Sequence, residues 1–557
     1  MVKQVVDTIL PTTMVGSYPR PAWFTQQLLG RDIRVAFKEH NYEETFQDAV
    51  ATIIRDQEEA GLDIVTDGNM WYDDYVGVIG SFCWYLYERI PGFEPSRNPH
   101  PSYVDADASQ GKAIMDDWGG VINSGPVDSA PDAIRWVDLY EMAQARSNVP
   151  VKASIGAGPA NLAWHVYFNE DSHYKSPKDL TMALVPIFNK EMKALVAEAM
   201  EHGAMGISTG LFYVPGSFTP TEEVVELSRI VAGYGGIYIS HMRDETTRML
   251  DSVDETIRIG VEAGLPVQIT HHKAMGTANW GDSVKSLERI DAARARGIDV
   301  TMDQYPYTAS QTGIFALVPQ WAQAGGDEAL LERWEDPDTR RQIKDGIVDR
   351  ILNDRGGGDP ANVVISLCEW DASLNGKSLA EILLARGRSP TPENAADLTI
   401  EIIRGGGAQA VYHAMDERDV ERIMQHPATA IGSDGPLGVF GAGAPHPRQY
   451  GTFARVLGRY VREREILTLE EAVRKMTSAT AQRLSIRDRG LLREGYYADI
   501  AIIDAEVVRD LATFEDPHQY AEGVEFVLVN GEIVVEQGKH TGARPGRVLH
   551  GPGYRAD

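Results

Sequence analysis

Short apolar runs that alternate with longer amphipathic stretches constrain this chain more than any other feature. The runs TTMVGSY (12–18), DIVTDGN (63–69), GGVINSG (119–125), VKASIGAG (151–158), AMGISTG (204–210), GIYISHM (236–242), PVQITHH (266–272), IDVTMDQY (298–305) and TAIGSDG (429–435) have strand length and composition. Between them lie helical patterns such as NYEETFQDAVATIIRDQEEAG, DLTMALVPIFNKEMKALVAEAMEHG and TTRMLDSVDETIRIGVEAG, each closing on a glycine. Strands alternating with helices of that length predict βαβ units around a parallel sheet. The fold class is therefore α/β, and the expected architecture is a (β/α)8 TIM-type barrel, because chemically active residues fall at the C-terminal ends of the strands.

The rhythm breaks twice. Residues 325–425 are rich in charge and glycine (DRGGGDP, IIRGGGAQ) and predict an insertion before the last barrel strand. From about 488 the chain becomes β-rich, with an Asn530-Gly531 hairpin turn, which predicts a small β-sandwich-like appendage. The expected division is 1–195, 196–487 and 488–557.

Composition narrows the function. With 81 acidic and 53 basic residues the net charge is -28, which argues against a nucleic acid as partner. The two cysteines, Cys83 and Cys368, form no CxxC pair, so neither a zinc knuckle nor a disulfide framework is expected. No apolar run approaches the roughly 18 residues that span a bilayer, and the first residues lack the pattern of a secretory signal. The expectation is a cytoplasmic protein without a membrane partner; a homo-oligomer remains open.

Four strand-end sites carry chemistry: His241 in YISHMRDE, His271 and His272 in QITHHK, Asp434 in IGSDGP, and Arg448 in HPRQYGTF. Any one histidine alone reads as a hydrogen-bonded structural residue. Two imidazoles and a carboxylate at the ends of different strands suit a catalytic zinc, which takes N and O ligands and keeps one position open. Successive strand residues point to opposite faces, so His272 is expected to be a structural neighbour of the site.

These motifs, with GISTGLFYVPG, VQITHHKAMG, DQYPYTAS, LTLEEAVRKMTSATAQRL and RGLLREGYYADI, run in order over about 196–557. The sequence there resembles the N-acyl-D-amino-acid deacylases (D-aminoacylases) of the amidohydrolase superfamily. That resemblance implies a metal-bearing barrel with a small β-sandwich, and hydrolysis of the amide of N-acyl-D-amino acids or related small N-acyl compounds. It implies His241, His271 and Asp434 as metal ligands, with one zinc ion expected. Asp434 is also implied as the catalytic proton shuttle, and Lys273, Tyr305 and Arg448 as substrate contacts, Arg448 clamping a carboxylate.

Residues 10–195 resemble another family, the catalytic barrel of cobalamin-independent methionine synthase, through LPTTMVGSYPRP, QEEAGLDIVTDGNM, WGGVINSGPV and VKASIGAGPANLAWHVYF. In that family the strand holding Gly16 and Ser17 lies against an amino-acid substrate. The synthase's zinc-binding His/Cys motifs are absent, and so are the deacylase's first-strand HxH and its cysteine ligand: none of the 14 histidines is separated from another by one residue. Asp67 or His165 could enter a hybrid site. Two alternatives therefore stand beside the deacylase: a methionine-synthase-like methyltransferase or pterin/amino-acid binding protein, and a fusion product with impaired activity.

Overall fold

In the computed structural model the described residues are 42–62, 64–70, 81–87, 89–95, 121–127, 134–153, 158–164, 166–436 and 438–555. The chain divides between His202 and Gly203 into two compact units, and Arg555 returns to the first.

In the first unit the helix Tyr42–Glu59 buries Phe46, Ala49, Val50, Ile53 and Ile54, the i, i+3, i+4 stripe of an amphipathic helix. They share a core with Leu86, Trp136, Leu139, Leu180, Leu184 and Phe188. Each fully buried Leu, Ile or Val of this kind contributes about 1.5–3 kcal/mol. The helix Pro177–Glu201 starts on an N-cap at Ser176, whose hydroxyl accepts from the Asp179 backbone N–H, with Pro177 at its first position. A short sheet joins β1 (Phe93–Pro95) to β2 (Val121–Asn123) antiparallel, and β2 to β3 (Val166–Tyr167) parallel. Val65 and Val151, from the runs 63–69 and 151–158, pair in a parallel bridge. Gly16, Ser17, His165 and the run 12–18 lie outside the described residues.

The second unit is built on a five-stranded parallel sheet. Its strands are β4 (Gly206–Gly210), β5 (Ile237–His241), β6 (Val267–Ile269), β7 (Val300–Gln304) and β11 (Thr429–Ile431), side by side in that order. Helices Thr221–Gly233, Met249–Ala263 and Ser283–Ala295 make the crossovers between the first four. The middle one ends at Gly264, whose left-handed conformation (φ +75°) closes the C-terminus without a Cβ penalty. Parallel strands covered by helices read as apolar runs because both faces are buried, and Tyr238, Val267, Ile269, Val300 and Met302 are inaccessible to solvent.

Between β7 and β11 the chain forms a separate antiparallel sheet. In it β10 (Gln409–Tyr412) lies between β8 (Ser310–Gly313) and β9 (Val363–Leu367). Helices Pro337–Asn353 and Pro392–Gly405 supply Ile343, Ile347, Ile351, Leu398 and Ile402 to its core. The C-terminal stretch is a four-stranded antiparallel sheet, β12 (Ile500–Ile503), β13 (Val524–Val529), β14 (Glu532–Glu536) and β15 (Lys539–His540). Asn530 and Gly531 both take positive φ (51° and 86°), and Val529 pairs with Glu532 across them, the geometry of a two-residue type I′ hairpin. Among the described residues no helix is long and apolar enough to cross a membrane.

Candidate active site

The site gathers where β5, β6, β7 and β11 end. His241 is the last residue of β5, and His271 stands two residues past β6. His271 has φ +38°, a conformation that costs an L residue roughly 1–2 kcal/mol. Asp303 of β7 holds that turn: its carboxylate accepts from the His271 backbone N–H (2.7 Å) and from the Thr270 hydroxyl (3.1 Å). As a result His241 Nδ1 and His271 Nε2 face each other at 2.8 Å. Burial holds the His241 imidazole well below its ordinary pKa, although the charge of Glu245 opposes the shift. His241 is thus a neutral ring with a lone pair to offer.

Glu245, four residues past the end of β5, is buried against both rings, with Oε1 3.0 Å from His271 Nδ1 and Oε2 4.0 Å from His241 Nε2. Two buried cations address it as well, Lys273 Nζ at 2.5 Å and Arg355 Nη2 at 3.5 Å. Burial alone would raise its pKa, but Lys273 and the two imidazoles hold it well below the usual carboxylate range. His241, Glu245 and His271 each offer a donor atom within 4.8 Å of the others, and they are the group among the described residues that does so.

Asp434, also in the left-handed region (φ +49°), lies just beyond β11 and outside that group. Its Oδ2 is 2.8 Å from Nη1 of Arg448, the first residue of the helix Arg448–Arg455. Burial lowers the pKa of Lys273 and raises those of Tyr305 and Tyr213, and the charge of Asp434 reaches all three, so Asp434 borders the same space. Tyr305 forms the floor, with the Arg448 guanidinium 4.5 Å and the Lys273 ammonium 5.6 Å from its ring centroid. His446 fixes the start of the Arg448 helix: its Nδ1 accepts from the Arg448 backbone N–H (3.0 Å), and its Nε2 donates to the Ala309 carbonyl (2.9 Å).

The structure thus brings His241, His271, Lys273, Tyr305, Asp434 and Arg448 into one neighbourhood. His272 turns into the core, where its Nε2 meets Ser286 Oγ at 2.8 Å and burial lowers its pKa to about 3. Asp67 belongs to the first unit, buried, with its carboxyl pushed up to about 6 by that burial. Cys83 is a buried thiol pushed up to about 12. Two site residues, Glu245 and Arg355, go unmarked in the sequence reading. The spacing of Glu245 four residues after His241 in HMRDE is a local signal for the first; Arg355 has none, sitting in the glycine-rich DRGGG.

Residues 186–535 match the amidohydrolase family, and residues 10–84 match the cobalamin-independent synthase catalytic domain. A D-aminoacylase of Alcaligenes xylosoxydans xylosoxydans is 40% identical over 64% of this chain and 64% of its own length. The chain therefore spans under two thirds of that relative. A methionine synthase of Sulfolobus acidocaldarius is 30% identical over 54% of this chain and 70% of its own. Among solved structures, an N-acyl-D-glutamate deacylase from Bordetella bronchiseptica, complexed with zinc and a phosphonate inhibitor, is 29% identical with a TM-score of 0.54, covering 89% of this chain and 84% of that one. The strand-end imidazoles, the carboxylate beside its arginine and the sequence matched across them agree: the chain belongs to the amidohydrolase family and carries, ahead of that region, a segment of the cobalamin-independent synthase catalytic domain.

Proposed function

We propose that this chain is a zinc-dependent hydrolase that cleaves the amide bond of N-acyl-D-amino acids or closely related N-acyl compounds. The observation that carries the reading is the pair of imidazole nitrogens, His241 Nδ1 and His271 Nε2, facing each other at 2.8 Å beside the Asp434–Arg448 ion pair. One ring proton bridges the two nitrogens as an N–H···N hydrogen bond, and when it leaves the two lone pairs converge on one point, so the donor chemistry fits one divalent metal held by His241 and His271. Bound there, zinc supplies a Lewis acid for the amide carbonyl and lowers the pKa of an attacking water.

The chain's own residues do the rest. Asp434 takes the proton of the attacking water and passes it to the leaving amine. Its carboxylate serves as base here, standing outside the group formed by His241, Glu245 and His271. Arg448 clamps the substrate carboxylate bidentately. Since Arg448 is spent on Asp434 before substrate arrives, substrate binding exchanges one carboxylate for another and frees the base. Lys273 and Tyr305 line the same space and set the position of the acyl amide.

With this reading go a (β/α)8 barrel that includes β4–β7 and β11, an insertion over about 325–425 that carries β9 and β10, and an appendage of β12–β15, within a division at 1–195, 196–487 and 488–557. Two buried thiols accord with a reducing, cytoplasmic setting. The test is hydrolysis of N-acetylated D-amino acids by the zinc-loaded chain, with His271→Ala and Asp434→Asn as controls. Cleavage lost in both variants supports the reading; cleavage unaffected by them, or homocysteine-dependent methyl transfer in place of cleavage, refutes it.

A further inference from the structure

We propose that Glu245 is the positioning residue of this site, a single carboxylate that addresses the outward nitrogens of both imidazoles and so leaves the facing pair free to bind zinc. The inference rests on the metal-site reading above and adds a residue to it. A neutral imidazole has one donor and one acceptor nitrogen, and whichever partner one nitrogen finds decides the state of the other. His271 turns Nε2 toward His241 and Nδ1 toward Glu245 Oε1, 3.0 Å away. His241 does the converse: Nδ1 faces His271, while its buried Nε2 has no hydrogen-bond partner among the described residues and meets Glu245 Oε2 at 4.0 Å. An N–H of His271 donated to Oε1 leaves the Nε2 lone pair for a metal, the carboxylate–histidine–metal relay in which the carboxylate fixes tautomer and ring orientation.

The donor distances would also let Glu245 bind metal directly, since it lies within 4.8 Å of both rings' donor atoms. Its other partners argue against that. Lys273 Nζ is 2.5 Å from Oε1 and 2.7 Å from His271 Nδ1, and an ammonium only donates, so Nδ1 accepts from Lys273 while the ring proton sits on Nε2; zinc on Nε2 shifts that proton to Nδ1, and Oε1 then takes both N–H groups. On the other side Arg355 Nη2 lies 3.5 Å from Oε2, its guanidinium 4.1 Å from the Phe212 ring centroid and Nη1 3.7 Å from Met275 Sδ. A carboxylate held between two buried cations is a weak donor to a third cation and a rigid acceptor for imidazole N–H groups.

The experiment compares zinc affinity, by competition with a chelator, and the visible spectrum of the cobalt-substituted full chain for wild type, Glu245→Gln and His271→Ala. For Glu245→Gln the expected result is a roughly 10–100-fold loss of zinc affinity with the cobalt band unchanged in position and intensity. Affinity within twofold of wild type overturns the proposal, and so does a cobalt spectrum altered as in His271→Ala, which would make Glu245 a ligand. Nitrogen-15 NMR of histidine in the zinc-loaded wild type answers the same question without a variant: a proton on His271 Nδ1 with Nε2 metal-bound is expected, and the reverse assignment overturns it. Wild-type zinc affinity in His271→Ala would instead remove the metal-site reading itself.

Discussion

His271 and Asp434 both sit at positive φ, at the ends of different strands. Strain of that kind persists where surrounding structure over-determines it, and Asp303 does so for His271. The resulting geometry separates the roles of Asp434 and Arg448. Asp434→Asn keeps the shape of the proposed base and removes its proton affinity, so kcat should fall about 100- to 10,000-fold, and KM should fall as well because the substrate carboxylate no longer competes with Asp434 for Arg448, both read from steady-state kinetics. Arg448→Lys keeps the charge but not the planar fork, so KM should rise by about tenfold or more while kcat changes far less. The residue scale also shows what the sequence could not disclose. His241, His271, Lys273, Asp434 and Arg448 stand at strand ends or in matched motifs and were readable. Arg355 was not, because it stands 110 positions from Glu245 in the chain and meets it only through the fold.

At the scale of elements, the runs beginning near 204, 236, 266, 298 and 429 all became strands of one parallel sheet, since alternation of apolar runs with amphipathic helices is a local signal that packing reinforces. The insertion sheet was less legible. Ser310–Gly313 is polar and short, and it is a strand only because β10 pairs with it. Two predictions belong here. A Cβ on Gly206 would come within 2.1 Å of the Ile237 carbonyl oxygen of the neighbouring strand. Gly206→Ala should therefore destabilise the second unit by about 1–3 kcal/mol, measured as a lower urea midpoint.

His272 ties the turn after β6 to the helix Ser283–Ala295 through Ser286. Its pKa is depressed from 6.5 to about 3 in the folded chain, first by burial and then by Lys273. Below pH 6.5 the unfolded chain takes up a proton that the folded one refuses, so stability is full above that pH and falls as the pH drops toward 3. The loss reaches about 5 kcal/mol at most. His272→Gln, followed by circular dichroism against pH at fixed urea, should shift the acid-unfolding midpoint downward; an unchanged midpoint would mean that His272 does not drive it.

For the whole molecule, two families share one chain, and the division into units at His202 and Gly203 lies close to where the second family's match begins, at residue 186. The chain keeps the strand-end imidazoles, the aspartate and its arginine, yet has no HxH pair anywhere. In the function proposed above, these retained residues suffice for a one-zinc hydrolase. The direct measurement is zinc content of the purified full chain, taken together with the rate of N-acetyl-D-amino-acid hydrolysis in wild type and His271→Ala. The expected result is about one zinc per chain and cleavage in wild type, with both lost in the variant. A wild-type chain that binds no zinc when zinc is supplied, or that cleaves equally well without His271, would contradict it.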